Sequence, residues 1–186
     1  MTPAIYAKAE MAAALRETQE QVATLVAGIS EAQFNQTAAV GWPASGYLKH
    51  LILSIKPLAK AMKLPPEQLR KMFGEPEQPS RSYDAVVAVY RKRIDEGIKA
   101  EDYTSVTPDF YRIPEGVEDE KAYFLDTWNE SNQRLLAALE AWSEDDLDQC
   151  QIPHPGIGSA ITVREMMLFT VYHNRLHAQD MQQAAA

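Results

Sequence analysis

Apolar residues recur every three to four positions along most of the chain, and no stretch alternates apolar and polar residues for long. This spacing is typical of amphipathic helices, which bury one face and expose the other. We therefore predict an all-α protein, a bundle of four or five long helices. The helices are expected over about residues 3–27, 43–63, 82–99, 119–142 and from 162 towards the C-terminus, with a shorter one after Pro66.

Boundary signals accompany several of these repeats. Thr2 and Pro3 suit the N-cap and first position of the first helix. The last helix opens with "TVRE", in which Thr162 and Glu165 form a capping box. Pro57 falls within the second long helix and is expected to kink it. The residues predicted to face the core are, helix by helix, Met11, Leu15, Val22 and Leu25; Tyr47, Leu51, Ser54, Leu58 and Met62; Tyr83, Val87, Tyr90, Ile94 and Ile98; and Phe124, Trp128, Ser131, Leu135, Ala138 and Trp142.

Length and composition fit a single domain over residues 1–186. Because 46% of the residues are hydrophobic, the chain can bury a core without disulfides or structural metals. One connection is unusual: "EDYTSVTPDFYRIPEGVEDE", residues 101–120, is acidic, aromatic and about twenty residues long. Loops of that length inside a domain are more often lids or binding loops than spacers.

Charge and cysteine usage exclude several classes of function. The formal net charge is −8 and no basic footprint is present, so we expect no nucleic-acid partner. No apolar run approaches the length that spans a bilayer, so no membrane association is expected. The single cysteine, Cys150, predicts a reducing compartment and a cytoplasmic protein. Its acidic neighbours argue against a nucleophilic role.

The clearest candidate chemistry lies in "TVYHNRLHAQD", where His173 and His177 are four residues apart. Residues at this spacing share one helix face and can hold one metal ion. Chance pairs of this kind are common enough that the motif alone is weak evidence. However, the apolar stripe through Met166 and Thr170 continues into both histidines, so they occupy core positions, where unpartnered imidazoles are costly. The glutamate of HExxH proteases is absent, which excludes that class.

A third histidine, His50, lies on the second long helix one turn after Tyr47 and beside Leu51. A lone core histidine is usually only hydrogen-bonded, but together with the pair it predicts a three-histidine site between two helices. The fourth, His154, stands between two prolines in "IPHPG". We interpret it as a surface or loop residue rather than a ligand.

These residues also carry a resemblance. Trp42 followed eight positions later by His50, then a T-x-x-E helix start and the downstream H-x-x-x-H, resembles the DinB/YfiT-like family. The resemblance implies a four-helix bundle of DinB type, here with an additional helix, that binds a divalent metal through His50, His173 and His177. Nickel or zinc is the metal that it favours. Family members are often dimers, so it also implies a homodimer as one assembly open to this chain.

Three imidazoles suit zinc, nickel, iron or copper rather than magnesium or calcium, and they leave a coordination position open. The resemblance includes transferases that use bacillithiol or mycothiol, and our leading hypothesis is a metal that activates a low-molecular-weight thiol. The runner-up is a hydrolase that uses a metal-bound hydroxide, for which Asp180 and Glu165 are distant candidates as base. The third is a non-catalytic metal- or ligand-binding bundle.

The substrate pocket is harder to place. Trp128, Ser131 and Asn132 on the fourth long helix are candidates to line it, although core packing explains Trp128 better. For Tyr47, pocket lining and core packing are equally supported. No catalytic residue is assigned, and the expected partner is a small-molecule thiol or another small substrate.

Overall fold

The computed structural model describes residues 5–186. Within that range it contains eight α-helices, three single-turn 3₁₀ helices and one two-stranded antiparallel sheet. The α-helices are α1 (Lys8–Gly28), α2 (Glu31–Asn35), α3 (Ala44–Ala61), α4 (Pro66–Phe73), α5 (Tyr83–Asp95), α6 (Glu120–Glu140), α7 (Glu144–Gln149) and α8 (Val163–Ala184). The strands are β1 (Gln151–His154) and β2 (Ser159–Thr162), and the 3₁₀ turns are Ala100–Asp102, Thr104–Val106 and Pro108–Phe110.

The four long helices α1, α3, α6 and α8 form the bundle. Helix α3 packs against α6 and α8, and α1 packs against the same two helices, so each long helix has two long neighbours. Helix α5 packs on the outer side of α8. The prediction of an all-α four-helix bundle with an additional helix is confirmed.

Helix α8 is the centre of the molecule. Every residue from 163 to 174 is buried, because α1, α3, α5, α7 and the small sheet all contact this helix. The prediction of a single inward stripe therefore understated its burial. Its N-terminus carries the predicted capping box: the backbone N–H of Glu165 donates to Thr162 Oγ1, and the backbone N–H of Thr162 donates to Glu165 Oε2.

The other predicted boundaries hold to within a few residues. Helix α1 is an exception: it begins at Lys8 with Ala7 as its N-cap, so the predicted start near Pro3 was wrong. Residues 5–7 are not helical, and the predicted cap residues Thr2 and Pro3 lie outside the described residues. Pro57 lies inside α3, which continues to Ala61. All six core positions predicted for α6 are buried, as are Met11, Leu15 and Val22 of α1, while Leu25 is only partly buried.

The prediction for α5 was wrong in detail. The helix ends at Asp95 because Gly97 adopts a positive φ of 95°, so Ile98 lies beyond it. Val86, not Val87, is its fully buried residue, and Ile94 is 40% exposed. The reason is that α5 is a peripheral helix with one main neighbour, so only a narrow strip of its surface is covered.

The connection before α8 contains a β-hairpin that the sequence pattern did not predict. β1 and β2 pair antiparallel with His154 opposite Ser159. Each strand has four residues, too few for an alternating pattern to stand out. The hairpin determines where His154 lies.

The long connection over residues 101–120 is mostly non-repetitive, but its second and third 3₁₀ turns pack against α3. A Cβ atom on Gly46 of α3 would lie 3.4 Å from Pro108 Cγ, which shows how closely the segment approaches. None of the described helices is both long enough and apolar enough to cross a membrane.

Candidate metal centre

The three histidines predicted as ligands meet where α3 and α8 pack. His50 extends from α3, and His173 and His177 extend from successive turns of α8. The Nε2 atoms of His50 and His173 are 3.0 Å apart, and those of His177 and His173 are 3.1 Å apart. One potential ligand atom from each residue lies within 4.8 Å of the others.

Outer hydrogen bonds hold two of the rings in one tautomer. His50 Nδ1 lies 2.7 Å from the backbone carbonyl of Val106, and His177 Nδ1 lies 2.8 Å from Asp180 Oδ2. A carbonyl or a carboxylate oxygen can only accept, so both Nδ1 atoms carry the proton. In the neutral rings the Nε2 lone pairs then face His173. This is the arrangement of metal-binding histidines whose other nitrogen is bonded to an outer partner.

The lone pairs require a shared partner. His173 can offer at most one Nε2 proton to its two neighbours, so protein atoms alone leave the cluster under-satisfied. Metal–nitrogen bonds of about 2.0–2.1 Å put two tetrahedral ligands roughly 3.3 Å apart. The observed separations are close to this, so the three residues fit a divalent transition metal ion.

Burial keeps the imidazoles of His50 and His173 neutral, as metal binding requires. It lowers the pKa of His50 to about 4, and the nearby His177 adds to the shift. Burial likewise moves the pKa of His173 well below its ordinary value, and His173 is only 4% exposed. The side chain of His177 is 12% exposed, which marks it as the side of the centre nearest to solvent.

An aromatic ring covers each ligand. Trp42 packs on His50 with ring centroids 5.2 Å apart, Tyr47 stacks on His177 at 5.3 Å, and Phe169 stacks on His173 at 5.1 Å. Trp42 and His50 both belong to the motif that carried the family resemblance. The packing of Trp42 on His50 gives a structural reason for their occurring together. Sequence reasoning missed Phe169, although its position four residues before His173 places it on the same helix face.

The Tyr47 side chain packs closely against the backbone of Gly41. Gly41 has a φ of 77°, and a Cβ atom there would lie 2.2 Å from the Tyr47 hydroxyl oxygen. Burial raises the pKa of Tyr47, and the nearby Asp180 adds to the shift, so the hydroxyl remains protonated near neutrality. Of the four residues predicted to line a pocket, Tyr47 stacks on a ligand ring.

The other three pocket candidates make bonds typical of core residues. Trp128 Nε1 donates to the Gln19 carbonyl of α1, Ser131 Oγ to the Thr127 carbonyl and Asn132 Nδ2 to the Trp128 carbonyl. Their role in a pocket stays a prediction.

The carboxylates considered as bases are both engaged. Asp180 accepts from His177. Glu165 accepts from the Arg81 guanidinium at 2.8 and 3.0 Å and from the Arg81 backbone N–H at 2.7 Å. Burial alone would raise the pKa of Glu165, but these bonds lower it below its ordinary value. Both carboxylates are therefore already engaged in hydrogen bonds.

His154 is not the open surface residue that we expected. It ends β1, where its Nδ1 accepts from the backbone N–H of Ile157 at 3.1 Å, and its ring meets Phe169 at a centroid distance of 4.2 Å. Burial lowers its pKa to about 4. It lies outside the cluster of His50, His173 and His177.

Two surface depressions lie away from this centre. One lies between α1 and α8 and is lined by Glu17, Glu20 and Ala178, among others, and the second lies beside α7 near Glu75 and Asp148. Neither includes a ligand histidine, and the chemistry of the histidine cluster makes it the stronger functional candidate.

Comparison with known families gives one match. The family model described as "DinB superfamily" matches residues 14–181, a span that contains all three ligand histidines. Comparisons with curated proteins and with solved structures found no match.

Proposed function

The chain belongs to the DinB superfamily, and on that premise we propose that it is a metal-dependent transferase that activates a low-molecular-weight thiol. His50, His173 and His177 would hold one divalent transition metal ion, nickel or zinc. The observation that carries the proposal is the convergence of three Nε2 atoms whose rings have their outer nitrogens bonded away from the centre.

A divalent ion held by His50, His173 and His177 would leave a coordination position open and would favour the thiolate form of a thiol bound there. The protein's own groups then have to position the second substrate and limit access of water. Trp42, Tyr47 and Phe169 form an apolar layer around the ligands, and approach is easiest on the side of His177.

The fixed carboxylates favour this proposal over hydrolysis. A water nucleophile gains from a nearby carboxylate base, but Asp180 and Glu165 are both held in hydrogen bonds to cationic or N–H groups. A thiol that is deprotonated by coordination needs no such base. The proposal includes a cytoplasmic setting, where small thiols stay reduced, in keeping with the unpaired, buried Cys150.

The first test is elemental analysis of tag-free protein purified without chelators. The parent should hold about one nickel or zinc ion per chain, and the triple variant His50→Ala, His173→Ala, His177→Ala should hold none. His154→Asn is the matched control, because it changes a partly buried histidine outside the cluster and should keep full occupancy.

The second test separates the two reactions. Metal-loaded parent should transfer bacillithiol or mycothiol to monochlorobimane faster than the triple variant does, and should not accelerate hydrolysis of p-nitrophenyl acetate. Hydrolysis that depends on the three histidines, with no thiol transfer, would replace the proposal with the hydrolase. Metal binding without either reaction would support a non-catalytic bundle.

A further inference from the structure

A second group of side chains adjoins the metal centre on the side away from Tyr47. Phe169 stacks on His173, and it meets the rings of His154 and Tyr90 edge-to-face at centroid distances of 4.2 and 4.8 Å. The rings of His154 and Tyr90 are thus separated from the ligand His173 by a single aromatic side chain. A molecule bound at the metal and extending along Phe169 would reach them.

Both residues present an unused hydrogen-bond donor. His154 Nδ1 accepts from Ile157, so the neutral ring carries its proton on Nε2. Within the described part of the chain, neither that Nε2–H nor the Tyr90 hydroxyl is engaged in a hydrogen bond with another residue. Both side chains are only partly buried, so their polar atoms remain within reach of a ligand.

The hairpin turn holds the two rings together. A Cβ atom on Gly156 would lie 3.1 Å from Tyr90 Cε2 and 3.3 Å from His154 Cε1, so any side chain at this position would press on both rings. The Tyr103 hydroxyl, from the 101–120 connection, donates to the Pro155 carbonyl and ties the same turn to the segment that bonds His50 through Val106. Tyr90 and His154 therefore belong to the structure that surrounds the metal centre.

Within the described residues, no lysine or arginine donates a hydrogen bond to Tyr90 or His154. Burial and the neighbouring Tyr172 and Tyr103 hydroxyls raise the pKa of Tyr90 to about 12, and no lysine or arginine offsets this shift. Two neighbouring guanidinium groups have charged or aromatic partners of their own: Arg91 lies over the ring of Tyr172 and donates to its hydroxyl, and Arg93 donates to Glu96. The Arg93 guanidinium also lies against Gly158 of the hairpin turn, where its Nε is buried without a hydrogen-bond partner. Two neutral donors beside aromatic rings suit an uncharged carbonyl oxygen better than a carboxylate, which needs charge compensation.

We propose that the Tyr90 hydroxyl and His154 Nε2–H form a subsite that binds the carbonyl oxygen of an uncharged, flat, apolar substrate beside the metal centre. This assignment rests on the proposed function, since it makes that substrate the electrophile of the transferase. Tyr90 and His154 act in it as substrate-binding residues, and Phe169 is the apolar wall between them and the metal.

The test uses acetophenone with a ¹³C-labelled carbonyl as a probe, followed by infrared spectroscopy and calorimetry. Bound to the parent, its carbonyl band should move to lower wavenumber than in hexane. Tyr90→Phe and His154→Asn should each reduce this shift and weaken binding about three- to tenfold, the effect of one neutral hydrogen bond. Asparagine keeps an acceptor for the Ile157 N–H but lacks the outer donor, so the turn is preserved.

Matched variants complete the design. His154→Gln restores an N–H near the position of Nε2 and should recover much of the shift. Tyr172→Phe removes a hydroxyl of the same aromatic cluster that is already bonded to Arg91, and should behave as the parent. An unchanged shift and affinity in both Tyr90→Phe and His154→Asn, or tighter binding of benzoate than of acetophenone by the parent, would overturn the subsite.

The experiment is repeated on protein stripped of metal, and every preparation is analysed for metal. The shift should persist without metal, because protein donors produce it. Absence of metal from the parent together with a retained shift would refute the metal-dependent function and leave the subsite standing. A shift that disappears on metal removal would assign the carbonyl to the metal and refute the subsite alone.

Discussion

Asp180 offers the sharpest test of how the metal centre is built. Its Oδ2 accepts from His177 Nδ1 at 2.8 Å, which holds the proton on the outer nitrogen and directs the Nε2 lone pair towards the cluster. Asp180→Ala removes this partner and leaves the ring free to rotate or to change tautomer. We expect weaker metal binding with little change in fold.

The size of the effect follows from the geometry. Losing an outer partner of a metal-binding histidine typically costs about 10- to 100-fold in metal affinity, or about 1.4–2.8 kcal/mol. The Asp180 side chain is 30% exposed, so solvent screens part of its interaction and water can replace part of its hydrogen bond. We therefore expect about a tenfold loss for Asp180→Ala, and a smaller one for Asp180→Asn, which keeps an oxygen acceptor.

Zinc affinity would be measured by competition with a chromophoric chelator at pH 7. Gln179→Ala is the control, because Gln179 is the exposed neighbour on the same helix and should leave affinity unchanged. Thermal unfolding of the metal-free proteins checks that the variants are folded. An affinity for Asp180→Ala within twofold of the parent would refute the argument that this carboxylate orients His177.

The remaining predictions concern the ligands and the stability of the bundle. His173→Ala should abolish metal binding while the circular dichroism spectrum stays helical, whereas retained occupancy would show that His173 is not a ligand. Leu51→Ala, at a fully buried position of α3, should lower the free energy of unfolding by about 2–5 kcal/mol in urea titrations, and a loss below about 1 kcal/mol would contradict its core assignment. Burial alone would raise the pKa of Asp148, but its bonds to Arg164 and Ser80 lower it below its ordinary value. The stability it contributes is complete above its unfolded pKa of about 3.9 and is lost as the pH falls through the lower folded value. In Asp148→Asn, the free energy of unfolding should therefore fall less steeply as the pH is lowered into the acid range. An unchanged slope would show that the pair of Asp148 and Arg164 does not cause the loss of stability in acid.

Helix boundaries were predictable because local signals carry them. The capping box at Thr162 and Glu165 depends on residues three positions apart, and so does the N-cap of α6 at Asp119. The end of α5 and the β-hairpin were not predicted. Gly97 could have indicated the former, but strands of four residues give no usable period, and β1 is stabilised mainly by its pairing with β2.

Some features of the metal centre could likewise be predicted from the sequence, and others could not. His173 and His177 share a face because of helix geometry alone, so their pairing was visible in the sequence. His50 required a guess about which helices meet, and the contact of α3 with α8 supports it. The Val106 carbonyl that bonds His50 could not be read from the sequence, because any residue offers a backbone carbonyl and only the path of the chain selects one.

The sequence by itself determined the helical period, the capped start of α8 and the type and spacing of the ligand side chains, since all of these depend on neighbours within about one helical turn. Only the tertiary structure decided which carbonyl and which carboxylate orient the imidazoles, that the first half of α8 is buried on all sides, and that His154 packs against Phe169. These features arise from contacts between residues far apart in the chain. Their free energy depends on close packing of complete helices, which the local order of residues does not specify.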